Sequence, residues 1–238
     1  MCGRYGLDEA EFSESRFAAT LLPDVQREEL LIPRYNIAPT QPVLAIAPSK
    51  RLGGRRGMRS MRWGLTPSWA LKDRSKPRSF NIRTEGILDR PAYRKLLSFN
   101  RCAIPASFFY EWRHIGGKTG QPYAIGLNSE KQFAFAGIWV AARDGDGWLV
   151  SCAILTGAPN PLVAELHDRQ PIILRPEDER VWLDATATDP AVLMPLLSAL
   201  PEAAMSMHPV ASLVNSVANE GPELRRRVQE LPVPVALF

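Results

Sequence analysis

The chain has 238 residues, 45% hydrophobic and 23% charged, a composition that excludes collagen-like, disordered and membrane-embedded classes. Its formal net charge of +4 and pI near 9.1 permit attraction to polyanions without establishing nucleic-acid binding. The three cysteines, Cys2, Cys102 and Cys152, lack the paired spacing of a zinc or dithiol site, so no metal and no cofactor is expected. The first 30 residues lack the order of a signal peptide, and no apolar run reaches the roughly 20 residues of a span, so no membrane contact is expected.

The opening Met1-Cys2-Gly3-Arg4 places a small residue after the initiator methionine, and trimming would leave Cys2 first. A terminal cysteine offers an α-amine and a thiol on adjacent carbons, with ordinary pKa values of about 7.7–8.0 and about 8.5. Arg4 is expected to lower both. With an aldehyde, the amine forms an imine and the thiol closes a thiazolidine on the same carbon. With an amide, the thiol attacks while its own amine serves as base, as in glutamine amidotransferases that also begin Met-Cys-Gly. The tetrapeptide does not separate the two, and a frayed terminus without chemistry also fits it.

Farther along, Arg34 and Asn36 lie in Pro33-Arg34-Tyr35-Asn36-Ile37-Ala38-Pro39, and residues 43–47 read as a strand. Residues 49–60, with Arg51, Arg55, Arg56 and Arg59 among three glycines, read as a flexible basic loop before a strand at 61–65. Trp63 and Trp69 flank a turn from which aromatic rings stack on unpaired bases, core packing being the other role for Trp63. Asn81 and Arg83 alternate onto one side of an extended segment. A helix over 91–99 precedes strands at 101–104 and 108–112. Glu111 sits inside the second, where burial would raise its pKa for proton transfer, unless it lies on a wet face.

Strands at 133–141 and 148–155 follow, then a helix over 161–166 capped by Asn160, with His167 at its carboxyl end as a candidate general acid. Helices over 177–183 and 191–200 come next, and the Pro-Val-Pro-Val tail reads as a docked or frayed terminus. His114 and His208 have no companions suggesting metal, and Cys102 and Cys152 read as buried small hydrophobes. Strands and helices without regular alternation predict an α+β fold: a single domain over 1–238 with a curved, barrel-like, mostly antiparallel β core and helices around it, peripheral from about residue 226.

Taken together, MCGR, RYNIAP, MRWGLTPSW, FNIRTE, FFYEW, LHDRQP and HPVASLVNSVANEG resemble the motifs of the SRAP (SOS-response-associated peptidase) family over nearly the whole chain. The resemblance implies an abasic-site processing protein that binds single-stranded DNA and crosslinks Cys2 to the ring-opened sugar through a thiazolidine during the DNA damage response. It implies catalytic roles for Cys2, Glu111, His167 and Asn81. Arg4, Arg34, Asn36, Trp63, Trp69 and Arg83 are expected to contact DNA. The expected partner is single-stranded DNA containing abasic sites. A monomer is expected, cytoplasmic and nucleoid-associated, or nuclear in a nucleated cell. Gln170 stands where the family usually has methionine, and Ile82 where a small residue is frequent, so packing around His167 and Asn81 is expected to differ. The rival readings are a thiol autopeptidase using Cys2 and a non-catalytic binder of modified or single-stranded DNA, for which Cys2 would be dispensable.

Overall fold

The computed structural model describes residues 2–10, 13–23, 27, 31–71, 78–115 and 118–230. Met1, the tail at 231–238 and the His114 side chain lie outside the described residues. The strands are β1 (Tyr5–Leu7), β2 (Thr20–Leu21), β3 (Arg34–Ile37), β4 (Pro42–Pro48), β5 (Arg56–Trp63), β6 (Asn81–Arg83), β7 (Arg101–Ala106), β8 (Phe108–Ile115), β9 (Lys118–Leu127), β10 (Phe133–Asp144), β11 (Gly147–Gly157), β12 (Gln170–Pro171), β13 (Ile173–Leu174) and β14 (Met205–Pro209).

Five of them close a barrel. Antiparallel pairings run β11-β10-β7-β4-β5, and β5 returns to β11 in parallel, Ser151 opposite Arg62 and Cys152 opposite Trp63. Closure removes the free edges that an open sheet would expose. The core strands β4, β7 and the first half of β10 are buried on both faces, which is why they read as nearly unbroken apolar runs. A second sheet, β14-β9-β8-β1-β3, packs on the barrel through edge-to-face rings: Phe135 meets Tyr5 at 5.5 Å and Phe109 at 6.1 Å between centroids. Helices at Pro91–Phe99 and Pro176–Trp182 cover the outside, the latter tied to β7 by Trp182 Nε1 donating to Cys102 O at 2.8 Å. The expected α+β class with a barrel-like, mostly antiparallel core is what the chain forms.

Several boundaries differ from expectation for physical reasons. The basic segment 49–60 is a loop only as far as Arg55; β5 starts at Arg56, because residues 56–62 pair one for one with residues 42–48 of β4, and Met58 and Met61 are buried in the process. The helix expected over 191–200 divides into Pro190–Leu193 and a 3-10 turn, Met194–Leu197, since Pro195 lacks the N–H needed to continue an α-helix. The helix expected over 161–166 ends at Ala164, although Asn160 caps it as anticipated, its Oδ1 accepting from Val163 N at 2.9 Å.

In β1, Gly6 lies opposite Phe108, and a Cβ placed there would fall 2.1 Å from the Phe108 ring. Phe108 is buried and cannot swing into solvent. Gly6→Ala is therefore expected to destabilise the protein by about 1–3 kcal/mol through overpacking, measurable as a lowered midpoint in urea at unchanged slope. An unchanged midpoint would mean that the ring relocates at no cost.

Candidate active site

Cys2 is fully buried just before β1, its thiol 4.0 Å from the Arg4 carbonyl oxygen. Its own carbonyl accepts a 2.7 Å hydrogen bond from Asn81 Nδ2, which pins the terminus to β6. β6 in turn is held in place by parallel pairing with β11, Asn81 opposite Ile154 and Arg83 opposite Thr156. The other end of the Asn81 amide, Oδ1, is buried with no partner among the described residues. An unsatisfied acceptor of this kind costs about 1–3 kcal/mol, and a ligand hydroxyl or N–H would relieve it.

Glu111, on β8 opposite Tyr123, is 3% exposed, and its charge reaches Cys2. Burial pushes its carboxyl up to about 7, with the positive chain terminus opposing and Asp168 adding to the rise. The wet-face alternative for Glu111 is thereby excluded. Burial also pushes the Cys2 thiol well up, and Glu111 adds to this. The thiol pKa is raised overall, against the expected lowering, because lost hydration first and the nearby carboxylate second disfavour thiolate and outweigh the lowering contact with the Arg4 backbone.

Arg4 instead grips the scaffold. Its Nη1 donates to Asn36 Oδ1 at 2.8 Å and to Val214 O at 2.6 Å, and its guanidinium lies over the Trp112 ring at 5.8 Å. Its Nε is buried without a partner among the described residues.

His167 follows a single helical turn, too short for the macrodipole to favour imidazolium appreciably. Its ring is governed by two neighbours that compete for Nδ1: the Arg169 N–H donates to it at 3.0 Å, and Asp168 Oδ1 lies 2.8 Å away. Nδ1 accepts from the first when bare and donates to the second when protonated, so both protonation states are supported. Gln170, buried, accepts from Asn160 N at 2.8 Å through Oε1 and so ties both ends of the turn that presents His167.

Two of the residues expected to touch DNA, Trp63 and Asn36, are reassigned by their burial. Trp63 is fully buried, edge-on to Tyr5 at 5.4 Å and Phe80 at 5.9 Å, and its Nε1 donates to Phe80 O at 2.8 Å. It cannot stack on a base; it fixes Phe80 and hence Asn81. Asn36 is 1% exposed, and its Nδ2 meets Ser216 O and Asn219 O at 2.9 Å each, so it anchors the 214–219 loop. Arg34 turns its fork onto Pro42 O and the Gln41 side chain and braces the turn between β3 and β4. By contrast, Trp69 is 72% exposed, and Arg83 is exposed with no ion pair among the described residues.

One pair escaped the sequence reading. Arg169 grips Glu85 with two parallel hydrogen bonds of 2.7 Å, tying the segment after Arg83 to the turn carrying His167. Opposite charges in FNIRTE and LHDRQP were the available signal, but nothing local couples positions so far apart in the chain. Among the described residues there is no cluster of potential metal ligands, and no helix is long and apolar enough to cross a membrane. His208 is structural as expected, with Nε2 2.8 Å from Arg225 O, and Cys102 and Cys152 are buried.

Residues 1–217 match the family described as SOS response associated peptidase (SRAP). The abasic site processing protein YoqW of Bacillus subtilis is 39% identical over 228 residues, covering 94% of this chain and 98% of its own. The abasic site processing protein HMCES of Gallus gallus is 31% identical, covering 89% of this chain and 71% of its own. A crystal structure of a Bacteroides thetaiotaomicron protein superposes with a TM-score of 0.82 at 24% identity, over 96% of this chain and all of its own.

Proposed function

The chain belongs to the SOS response associated peptidase family, and from that premise we propose that it processes abasic sites in single-stranded DNA by capturing the sugar aldehyde on Cys2. The observation that carries this reading is the seating of Cys2: its carbonyl is clamped by Asn81, and its thiol lies within the field of a carboxyl raised to about 7.

Removal of Met1 frees the α-amine of Cys2, which attacks the aldehyde carbon of the ring-opened sugar. The carbinolamine loses water to give an imine. The thiol then adds to the imine carbon, its proton passing to the nitrogen, and a five-membered thiazolidine closes. Because burial keeps the sulfur protonated, the amine acts first and the thiol needs a base for the second step. Glu111, poised near neutrality, accepts the thiol proton and returns it to nitrogen. His167, whose Nδ1 contacts support either protonation state, serves the sugar oxygen during ring opening. The partnerless Oδ1 of Asn81 accepts from a sugar hydroxyl. Arg83 meets a flanking phosphate, and exposed Trp69 offers a stacking face for an unpaired base. The link that survives denaturation is the closed ring, in which the former aldehyde carbon is bonded to both the nitrogen and the sulfur of Cys2.

Three otherwise identical oligonucleotides test the reading: one with an abasic aldehyde, one with the same sugar reduced to the alcohol, and one intact. A denaturation-resistant adduct is expected with the first alone. An adduct of equal yield on the reduced sugar would overturn the proposal, since no imine can form there.

A further inference from the structure

Away from Cys2, a cavity of about 560 Å³ opens where the end of β4 and the start of β7 meet β5, with Trp139 of β10 in its wall. None of Cys2, Asn81, Glu111 and His167 lines it. Its volume falls within the range of about 300–1,000 Å³ typical of small-molecule sites.

The lining is one-sided in charge. Lys50, Arg51, Arg59 and Arg101 contribute to it, and among the described residues no acidic one does. Arg101 is 4% exposed, and its donors are taken by Leu97 O, Ser98 O, Trp182 O and Asp184 O at 2.6–2.8 Å. No carboxylate lies within ion-pair distance among the described residues, although the Asp184 charge reaches it, so it supplies a buried positive charge rather than free donors. Burial draws its pKa down to about 10, which still leaves it charged at neutrality. Arg59 is half-buried and lines the cavity, its Nε covered and without a partner among the described residues. Lys50, on the short 3-10 turn of the basic loop, is exposed at the rim.

Two aromatic faces complete the site. Phe99 closes the helix Pro91–Phe99 and is 65% exposed, its ring lining the cavity. Trp139 is half-buried on the same cavity. Gly57 also lines the cavity, where a Cβ would sit a tight 3.0 Å from Leu22 and 3.1 Å from Ser49.

We propose that this cavity binds a nucleotide, its phosphate at Lys50 and Arg59 over the buried charge of Arg101 and its base against Phe99 and Trp139. A free nucleotide and a nucleotide unit of a bound strand present the same chemistry. The site is independent of the aldehyde capture at Cys2.

The full chain is titrated calorimetrically with deoxyadenosine monophosphate and with deoxyadenosine, alongside Lys50→Glu and Phe99→Ala, both at exposed positions. Saturable binding of the monophosphate is expected, at least about tenfold tighter than the nucleoside and weakened at least about tenfold by Lys50→Glu. Phe99→Ala should weaken both ligands alike. A second arm measures the affinity for an intact single-stranded oligonucleotide. A parallel loss in the variants identifies the occupant as part of a strand; unchanged strand affinity identifies a free nucleotide. Adduct formation on a short abasic oligonucleotide should be unaffected in both variants, which shows that the fold is retained. Absence of saturable monophosphate binding, equal binding of the nucleoside, or binding that survives both substitutions would overturn the proposal.

Discussion

Cys2→Ala leaves no denaturation-resistant adduct with an abasic oligonucleotide, while binding of the intact strand is retained. The alanine variant keeps a terminal amine, so an imine still forms, but that bond hydrolyses on denaturation. What is lost is the intramolecular attack of sulfur, a step favoured by the large effective concentrations of neighbouring groups, on the order of 10⁵ M or more in well-aligned cases. Borohydride present during incubation should therefore recover an adduct from Cys2→Ala and from Cys2→Ser, and only then. An added residue before Met1 that blocks trimming should fail even with borohydride, because the Cys2 nitrogen is then an amide and the free amine is displaced two residues from the site. Full adduct from Cys2→Ala without reductant would sink the thiazolidine reading and leave the amine as the whole of the chemistry.

The second large effect concerns Glu111, for which activity and stability should move in opposite directions. Glu111→Gln keeps the shape but cannot take a proton from the thiol, and capture is expected to slow by about 10²–10⁴-fold with strand affinity little changed. The carboxyl is raised from 4.5 to about 7 by burial, so the folded state holds its proton more tightly than the unfolded chain does. Its favourable contribution is complete below pH 4.5 and disappears as pH rises through about 7, where the folded protein must ionise a buried group. The loss is on the order of 3 kcal/mol at most. Glu111→Gln should thus match the parent in stability near pH 4.5 and exceed it near pH 8, measured by urea unfolding at both values. The parent's capture rate should climb through pH 6–8, and the variant should lack the component near 7. A variant less stable at pH 8 would show that the carboxylate is stabilised by partners that outweigh its burial.

Much of the β core could be read in the chain because its strands are long and continuously apolar. Residues 101–106 and 133–138 are buried on both faces, so composition alone marks them. The short strands β1, β2, β12 and β13 carry two or three residues each and owe their existence to neighbours rather than to any pattern. β9 contains Gly120, Gln121, Pro122 and Gly126, residues that usually mark turns, and is held as a strand by β8 and β14 on either side.

The site divides along the same line. Cys2 after a removable methionine, Glu111 in an aromatic strand and the alternation of Asn81 with Arg83 are local facts, and local chemistry suffices to nominate them. Two tryptophans six residues apart, Trp63 and Trp69, are both candidates for stacking in sequence, with core packing also open to Trp63; packing against Tyr5 and Phe80 decides that Trp63 is a core residue while Trp69 is exposed. Asn36 and Asn81 are likewise both asparagines in extended segments, yet one spends its amide on the 214–219 loop and the other keeps an open acceptor beside Cys2. The sequence by itself determined the reactive groups and the run of apolar strands. The tertiary structure decided which polar groups are left unsatisfied, which charges are desolvated, and therefore which pKa values move, because hydration and hydrogen-bond satisfaction depend on neighbours brought together from distant parts of the chain.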